Sequence, residues 1–261
     1  MLALYQQCGI LILLYTTIWF LYSVIKKRND VADIAWGTGF VVISVYLFFS
    51  SQNPTVLATC VYGLVTVWGV RLSIHIYARN KNKPEDFRYQ QMRNKWGNSV
   101  LFQTYCKVFL LQGFLLLIIA SPLLMVNSVT TEVWNAYTFL GLGIWLIGFL
   151  FQAIGDWQLQ QFCKYKKPGE IMQSGLWKYT RHPNYFGEIA MCWGIFCMIM
   201  PSVDNWYSII GPITISYLLI FISGVPLMEK KYIGNSIYEL YKKRTPMLIP
   251  WFPKKSRIIF T

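Results

Sequence analysis

The sequence predicts an all-α integral membrane protein, a single bundle of about seven transmembrane helices, on the strength of three observations. Hydrophobic residues make up 55% of the 261 and aromatic residues 17%, with only 13% charged, at a mean hydropathy of +0.39; an ordinary soluble domain carries about 25% charged residues. Seven apolar runs each approach the roughly 20 residues needed to cross a hydrocarbon core of ~30 Å. Finally, 22 of the 24 Lys and Arg residues fall in alternate connections, the segregation expected when one side of a membrane is cytoplasmic.

The runs lie at about 9 to 25, 34 to 50, 55 to 77, 101 to 126, 134 to 155, 184 to 201 and 206 to 227. The first lacks a basic leading region and ends at Lys26-Lys27-Arg28, an anchoring flank rather than a cleaved signal, so it is expected to stay in the mature protein. Basic residues number 3 after run one, 6 after run three, 5 after run five and 8 in the tail, against none at 51–54, 127–133 and 202–205. This places the N-terminus outside and the C-terminus in the cytoplasm. The net charge of +13 is then a topology signal and not a nucleic-acid patch, although one basic face also suits a phosphate-bearing cofactor.

The longest polar stretches, 78–100, 156–183 and the tail from 228, leave no room for an extramembrane domain, and with no internal repeat, low-complexity tract or long linker residues 1–261 are expected to form one domain; a monomer is expected. Trp134, Tyr137, Trp206, Tyr207, Trp251 and Phe252 near run ends suit interfacial anchoring. Cys8, Cys60, Cys106, Cys163, Cys192 and Cys197 show no CxxC pair and no zinc spacing; they read as small buried hydrophobes, with no metal site.

Ionisable groups inside spans are costly unless they face a cavity or partner. Asp33 opens the second run, with Trp36 and Gly37 one turn on. Two readings stand: an acid with room beside it for a ligand, or a first-turn carboxylate that favours the helix start. Arg71, His75 and Arg79 recur at four-residue spacing, a polar stripe running toward the cytoplasmic loop, with snorkelling of Arg71 as the alternative. Gln152 and Asp156 are also four apart and precede Lys164, Lys166 and Lys167. Such a set can accept from ribose hydroxyls and hold phosphates, while single lysines there also fit ordinary cytoplasmic charge.

The densest stretch runs from Gly175 to Glu188. Pro183 is pre-set for a helix's first turn, so Asn184 and Glu188 share a face one turn apart, with Arg181 and His182 at its mouth. A glutamate entering the membrane there calls for something polar to dock.

Arg181-His182-Pro183-Asn184-Tyr185-Phe186-Gly187-Glu188 resembles a motif of membrane steroid 5α-reductases, sterol reductases and isoprenylcysteine carboxyl methyltransferases. Asp33 to Gly37, Arg71-Leu72-Ser73 with Arg79-Asn80, Glu85-Asp86-Phe87-Arg88-Tyr89, Gly155 to Leu159, and Arg244-Thr245-Pro246 with Ile249 to Pro253 look like the DUF1295 branch of the steroid 5α-reductase family. The resemblance covers nearly the whole chain, its C-terminal reductase-like region being about 101–255. It implies a multi-pass protein of a bacterial inner membrane or the endoplasmic reticulum, with NADPH held on the cytoplasmic side and an apolar lipid or steroid substrate entering from the bilayer. Carried over, the cofactor contacts fall on Asn184, Glu188, Asp156 and Gln152, with Arg181, His182, Arg79, Asn80, Lys164 or Lys166, and Tyr232.

On that reading, hydride from the nicotinamide reduces an activated C=C bond of an enone. Asp33 would be the acid that holds the carbonyl oxygen in a neutral form, and Arg71 would tune it. Trp68 stands where the reductases have a tyrosine; its indole donates a hydrogen bond but passes on no proton. The alternative is an S-adenosylmethionine-dependent methyltransferase acting on a lipid-linked group, since the Arg-His-Pro motif is common to both. The lysine-rich loop and Arg79 weigh toward a phosphate-bearing cofactor over a sulfonium. A non-catalytic lipid carrier is the third class, and it leaves the clustered acids and bases unexplained.

Overall fold

The computed structural model describes residues 2–127, 129, 134–201 and 206–254, and among them every regular element is helical. Three long helices come first: α1 (Leu2–Lys26), α2 (Val31–Ser50) and α3 (Val56–Asn80). Then follow α4 (Phe87–Trp96), α5 (Val100–Thr104), α6 (Leu111–Ile119), α7 (Ser121–Val126), α8 (Ala136–Tyr165), α9 (Pro183–Ile199), α10 (Ile210–Tyr217), α11 (Val225–Lys230) and α12 (Ser236–Arg244). Among the described residues, six stretches are long and apolar enough to cross a membrane: α1, α2, α3, Phe87–Ile119, α8 and Trp206–Lys230. α9, with 17 residues, is roughly 25 Å long and makes a seventh apolar helix. The multi-pass all-helical reading holds.

Boundaries differ from the apolar runs in instructive ways. The fourth stretch starts at Phe87, well inside the polar segment 78–100, because the Asp86 side chain accepts from Arg88 N and caps α4. It stops at Ala120, and Pro122 sits in the first turn of α7, where its missing N–H is tolerated. The last run is broken by a π-helical turn, Leu218–Ile222, and by Gly224. A Cβ on Gly224 would meet backbone atoms of Leu219, so the chain can fold back only with glycine there. The expectations at 127–133 and 202–205, and the end of the tail, lie wholly or largely outside the described residues.

The chain divides into two compact units, Met1–Asn135 with Ile199–Gly211, and Ala136–Met198 with Pro212–Thr261. In the first, α2 and α3 cross at two glycines: a Cβ on Gly37 would lie 2.7 Å from Gly69 O, and one on Gly69 would lie 2.6 Å from Gly37 O. Close backbone approach at small residues is how helices associate where water supplies no driving force. Trp68 packs edge-on against Phe40 beside this crossing. Ala32, Tyr89, Val108 and Phe109 form a buried cluster at the other end of α2.

In the second unit α8 and α9 run together over a glycine stripe. Gly141, Gly148 and Gly155 recur every seventh residue on α8, facing Gly194, Gly187 and Pro183 on α9. A Cβ on Gly148 would come within 2.6 Å of Gly187 O, and one on Gly155 within 3.1 Å of Pro183 Cγ. The stripe brings Gln152 and Asp156 up against the first turn of α9.

Candidate functional site

In the first unit, Asp33 sits in the first turn of α2 and its oxygens are engaged. Arg88 Nη2 lies 2.7 Å from Oδ2, the Tyr89 hydroxyl donates to Oδ1 at 2.6 Å, and Arg79 Nη2 stands 4.0 Å away. Around it the α1–α2 turn is tied to the loop after α3. Arg28 grips Asp30 with two bonds of 2.7 and 2.6 Å, and Asp30 also accepts from Asn80 Nδ2 and Asp86 N. Glu85 takes Asn29 N and Arg93 Nη2.

The structure thus brings Asp33, Arg79 and Asn80 into one ionic knot, together with Arg88 and Tyr89, to which the sequence reading gave no role. The room expected beside Asp33 at Gly37 is filled by the α3 backbone and by Ser73, whose hydroxyl donates to Ile34 O at 3.1 Å. Asp33 stands in the first turn of α2, where Arg88 and the Tyr89 hydroxyl, rather than helix N–H groups, hold its oxygens. Trp68 is buried, and Arg71 is half-buried on α3.

The second unit gathers most of the other candidates. Gln152 is buried in α8 and donates from Nε2 to Glu188 Oε2 on α9 at 3.1 Å. Asp156, 6% exposed, lies one turn along α8. The Trp177 indole fixes the intervening turn by donating to Gly155 O at 3.1 Å. Two buried polar atoms at the mouth of α9 have no hydrogen-bond partner, the donor Nε of Arg181 and the acceptor Oδ1 of Asn184. An unmet buried polar atom costs about 1–3 kcal/mol, so each of the two calls for a partner from outside the chain, an ordered water or a ligand group.

Arg181 and His182 converge on Glu229 of α11. Arg181 Nη2 lies 3.1 Å and His182 Nε2 3.2 Å from Glu229 Oε1. Burial is the largest influence on the His182 imidazole and pushes its pKa below the usual value; contact with Glu229 opposes the shift without reversing it. The ring is therefore neutral near pH 7 and its Nε2–H donates to the carboxylate. It stacks on Tyr185 with centroids 5.3 Å apart and planes at 12°. Glu229, Tyr238 and Tyr241 carried no sequence signal beyond composition, because their partner is more than forty residues away in the chain.

The segment before α9 is clamped by the tail. Arg181 N donates to Pro246 O, Thr180 Oγ1 to Leu248 O, Trp251 N to Tyr179 O, and the Tyr241 hydroxyl to Trp177 O. Four bonds fix the entry of α9, and with it His182 and Asn184. Tyr232 lies at the start of this region, stacked on Tyr238 with centroids 4.5 Å apart.

Lys164 and Lys166 sit on the exposed end of α8 and the loop beyond it. Lys164 Nζ donates to Gln161 Oε1 at 3.3 Å, while Lys166 lines an open groove of about 430 Å³ with the rings of Trp157, Phe162 and Tyr165. The basic groups counted in favour of phosphates are thus exposed or, in Arg79 and Arg181, ion-paired. The groups gathered at the mouth of α9 are mixed: Arg181, His182 and Gln152 donate, and Asp156, Glu188 and Asn184 Oδ1 can accept.

A polytopic helical membrane protein with a cluster of polar side chains at the start of an apolar helix is the class that this fold and site define. Residues 19–245 match the family described as a protein of unknown function, DUF1295, and the chain belongs to that family. It is also similar to a methanethiol S-methyltransferase of Crocosphaera subtropica, 28% identical over 110 residues, which is 41% of this chain and 40% of that protein. The match therefore spans about two fifths of each.

That relative overturns the expectation of a reductase acting on an enone. It is a methyltransferase, a transferase and not an oxidoreductase, and so points to the other reaction type that shares the Arg-His-Pro motif. The lysine-rich loop and Arg79 had weighed toward a phosphate-bearing cofactor, but the lysines are exposed and Arg79 faces Asp33. NADPH and the hydride-linked roles of Asp33, Trp68 and Arg71 depended on the reductase reading and lose their support with it.

Proposed function

We propose that the protein is a membrane-embedded methyltransferase that moves the methyl group of S-adenosylmethionine to the sulfur of a small or lipid-like apolar thiol. The observation that carries this reading is the pair of orphaned buried atoms, Arg181 Nε and Asn184 Oδ1, beside the carboxylates Asp156 and Glu188. The methionine end of S-adenosylmethionine offers a carboxylate for the guanidinium and an ammonium for the amide oxygen. Its ribose hydroxyls and sulfonium suit Asp156 and Glu188, and the rings of the groove at the end of α8 suit its purine. The relative named for methyl transfer to a thiol supports the same reaction class.

When bound, S-adenosylmethionine supplies an electrophilic methyl group; the chain's residues hold and orient the reactants and exclude water. A thiolate and a sulfonium carry opposite charges that vanish as the methyl moves, so a dry, membrane-level site favours the transfer. The glycine stripe between α8 and α9 serves that end by closing the helices over Gln152 and Glu188. We place this site on the cytoplasmic side, with the N-terminus outside, because the basic connections share that side.

Titration of detergent-purified protein with S-adenosylmethionine, followed by transfer of labelled methyl to alkanethiols, tests the proposal. Micromolar binding, weakened at least tenfold in Asn184→Ala, is the expected result. Absence of binding, or binding indifferent to Asn184 and Glu188, would overturn it.

A further inference from the structure

Between Arg181 and Asn184 in the chain stands a side chain to which the proposed cofactor contacts give no part. His182 is 4% exposed and held on two sides, by Glu229 at Nε2 and by the stacked Tyr185 ring. Its backbone N–H donates to Thr180 Oγ1 at 3.3 Å. Among the described residues, the other ring nitrogen, Nδ1, makes no hydrogen bond. A carboxylate facing Nε2 selects the tautomer with the proton there, which leaves the lone pair on Nδ1.

Glu229 is itself held by more than the imidazole. Arg181 Nη2 lies at 3.1 Å and Lys242 Nζ of α12 at 4.0 Å. Tyr238 also hydrogen-bonds Glu229, and Glu229 in turn acts electrostatically on Tyr241. The groups that face the imidazole are thus one carboxylate, one guanidinium beside it and the Tyr185 ring, with the lysine and the phenols acting through Glu229. A neutral imidazole oriented by a carboxylate, with one open nitrogen, is the arrangement of a general base.

We propose that His182 Nδ1 is the base that takes the proton from the acceptor thiol, with Glu229 as the residue that positions it. This rests on the methyltransferase reading and adds to it the residue that makes the thiol a nucleophile. An alkanethiol is mostly protonated at neutral pH, and the thiolate is the reactive form. The S–H proton moves to Nδ1, and the sulfur electron pair forms the new S–CH3 bond. The bond between the methyl carbon and the sulfonium breaks, and its pair stays on that sulfur, which becomes a neutral thioether. The positive charge ends on the imidazolium, stabilised by Glu229 until the proton passes to water.

The test compares two acceptors, an alkanethiol and an aromatic thiol whose lower pKa leaves it largely ionised at pH 7.5. General-base catalysis contributes typically 10²- to 10⁴-fold. His182→Gln should therefore lose roughly a hundredfold or more in kcat/KM on the alkanethiol, while the loss on the aromatic thiol shrinks to a few-fold. Glu229→Gln, which keeps the shape and removes the charge, should show the same selectivity at smaller amplitude. Equal losses on both acceptors in both variants would mean a structural role and overturn the assignment.

A second readout needs no turnover. The chain has two histidines, His75 and His182, so ¹⁵N-histidine-labelled protein gives two imidazoles, and His182→Gln assigns them. The Nε2–H tautomer at His182 is expected; an Nδ1–H tautomer would overturn the proposal. S-adenosylmethionine titration of the wild type keeps the two readings apart. No binding there means that the methyltransferase reading fails, whereas intact binding with unselective losses means that only the base assignment fails.

Discussion

The carbonyl oxygen of Gly148 occupies the place where a side chain on Gly187 would have to begin, and Gly187 O stands 2.6 Å from where one on Gly148 would begin. The two glycines are reciprocal, so α8 and α9 meet backbone to backbone halfway along their contact. The same spacing repeats at Gly141 with Gly194, where a Cβ on Gly141 would lie 2.5 Å from Gly194 O. At the C-terminal end of α8 it sets Gly155 against Pro183.

A methyl group at Gly148 or Gly187 must therefore push the helices apart. Gly187→Ala should destabilise the protein by about 1–3 kcal/mol, the usual cost of overpacking, despite alanine's better helix propensity. It should also weaken S-adenosylmethionine binding, because Gln152 and Glu188 flank the contact. Thermal unfolding in detergent, with Gly143→Ala as the control, checks this. A Cβ at Gly143 has open space, so that variant should be neutral or slightly stabilised.

The ionic knot around Asp33 leads to a different expectation. Asp33→Asn leaves Arg88 facing a neutral amide and the Tyr89 hydroxyl with a weaker acceptor. Breaking a partly buried pair from one side should cost about 1–3 kcal/mol, and Arg88→Leu should cost a similar amount. If Asp33 were a catalytic acid, stability would hold and the rate would collapse; instead the melting temperature should fall while S-adenosylmethionine affinity in the folded fraction stays within a few-fold.

How much of this was readable in the sequence depends on the range of each interaction. The spans were legible because apolar runs of membrane length have one meaning, and Gln152, Asp156, Asn184 and Glu188 were legible because each pair lies four apart on one helix. Glu229, 47 residues beyond His182 in the chain, was not, since nothing local marks its partner. The break that places it there depends on a π turn and on Gly224, and both sit inside what reads as one continuous run. Gly37 was misread for a similar reason: a glycine beside an acid looks like space for a ligand until the facing glycine, Gly69, is seen to fill it.

Orientation can be tested through one residue. Cys163 is exposed at the end of α8, while Cys8 is buried and Cys60, Cys106, Cys192 and Cys197 are at least half-buried within helical elements. With the basic connections on the cytoplasmic side, a membrane-impermeant maleimide should label inverted vesicles at Cys163 and leave right-side-out cells unlabelled there. Cys163→Ser should abolish the difference. Labelling from outside would reverse the topology.

Acid should unfold the site through His182. Its pKa in the folded protein lies below the ordinary 6.5, with burial the leading cause, so between those two values the unfolded chain binds the proton that the folded chain excludes. Stability rises with pH wherever the unfolded state holds more protons. The contribution is therefore fully present above about pH 6.5 and is lost as pH falls through the folded value. Every unit between the two values is worth about 1.4 kcal/mol. Unfolding of wild type and His182→Gln measured from pH 8 to pH 5 should show the wild type losing its advantage, or deepening its deficit, below pH 6.5. Parallel curves over that range would mean that folding leaves the imidazole pKa unshifted, and an advantage that grows toward acid would mean that the folded protein holds the imidazolium.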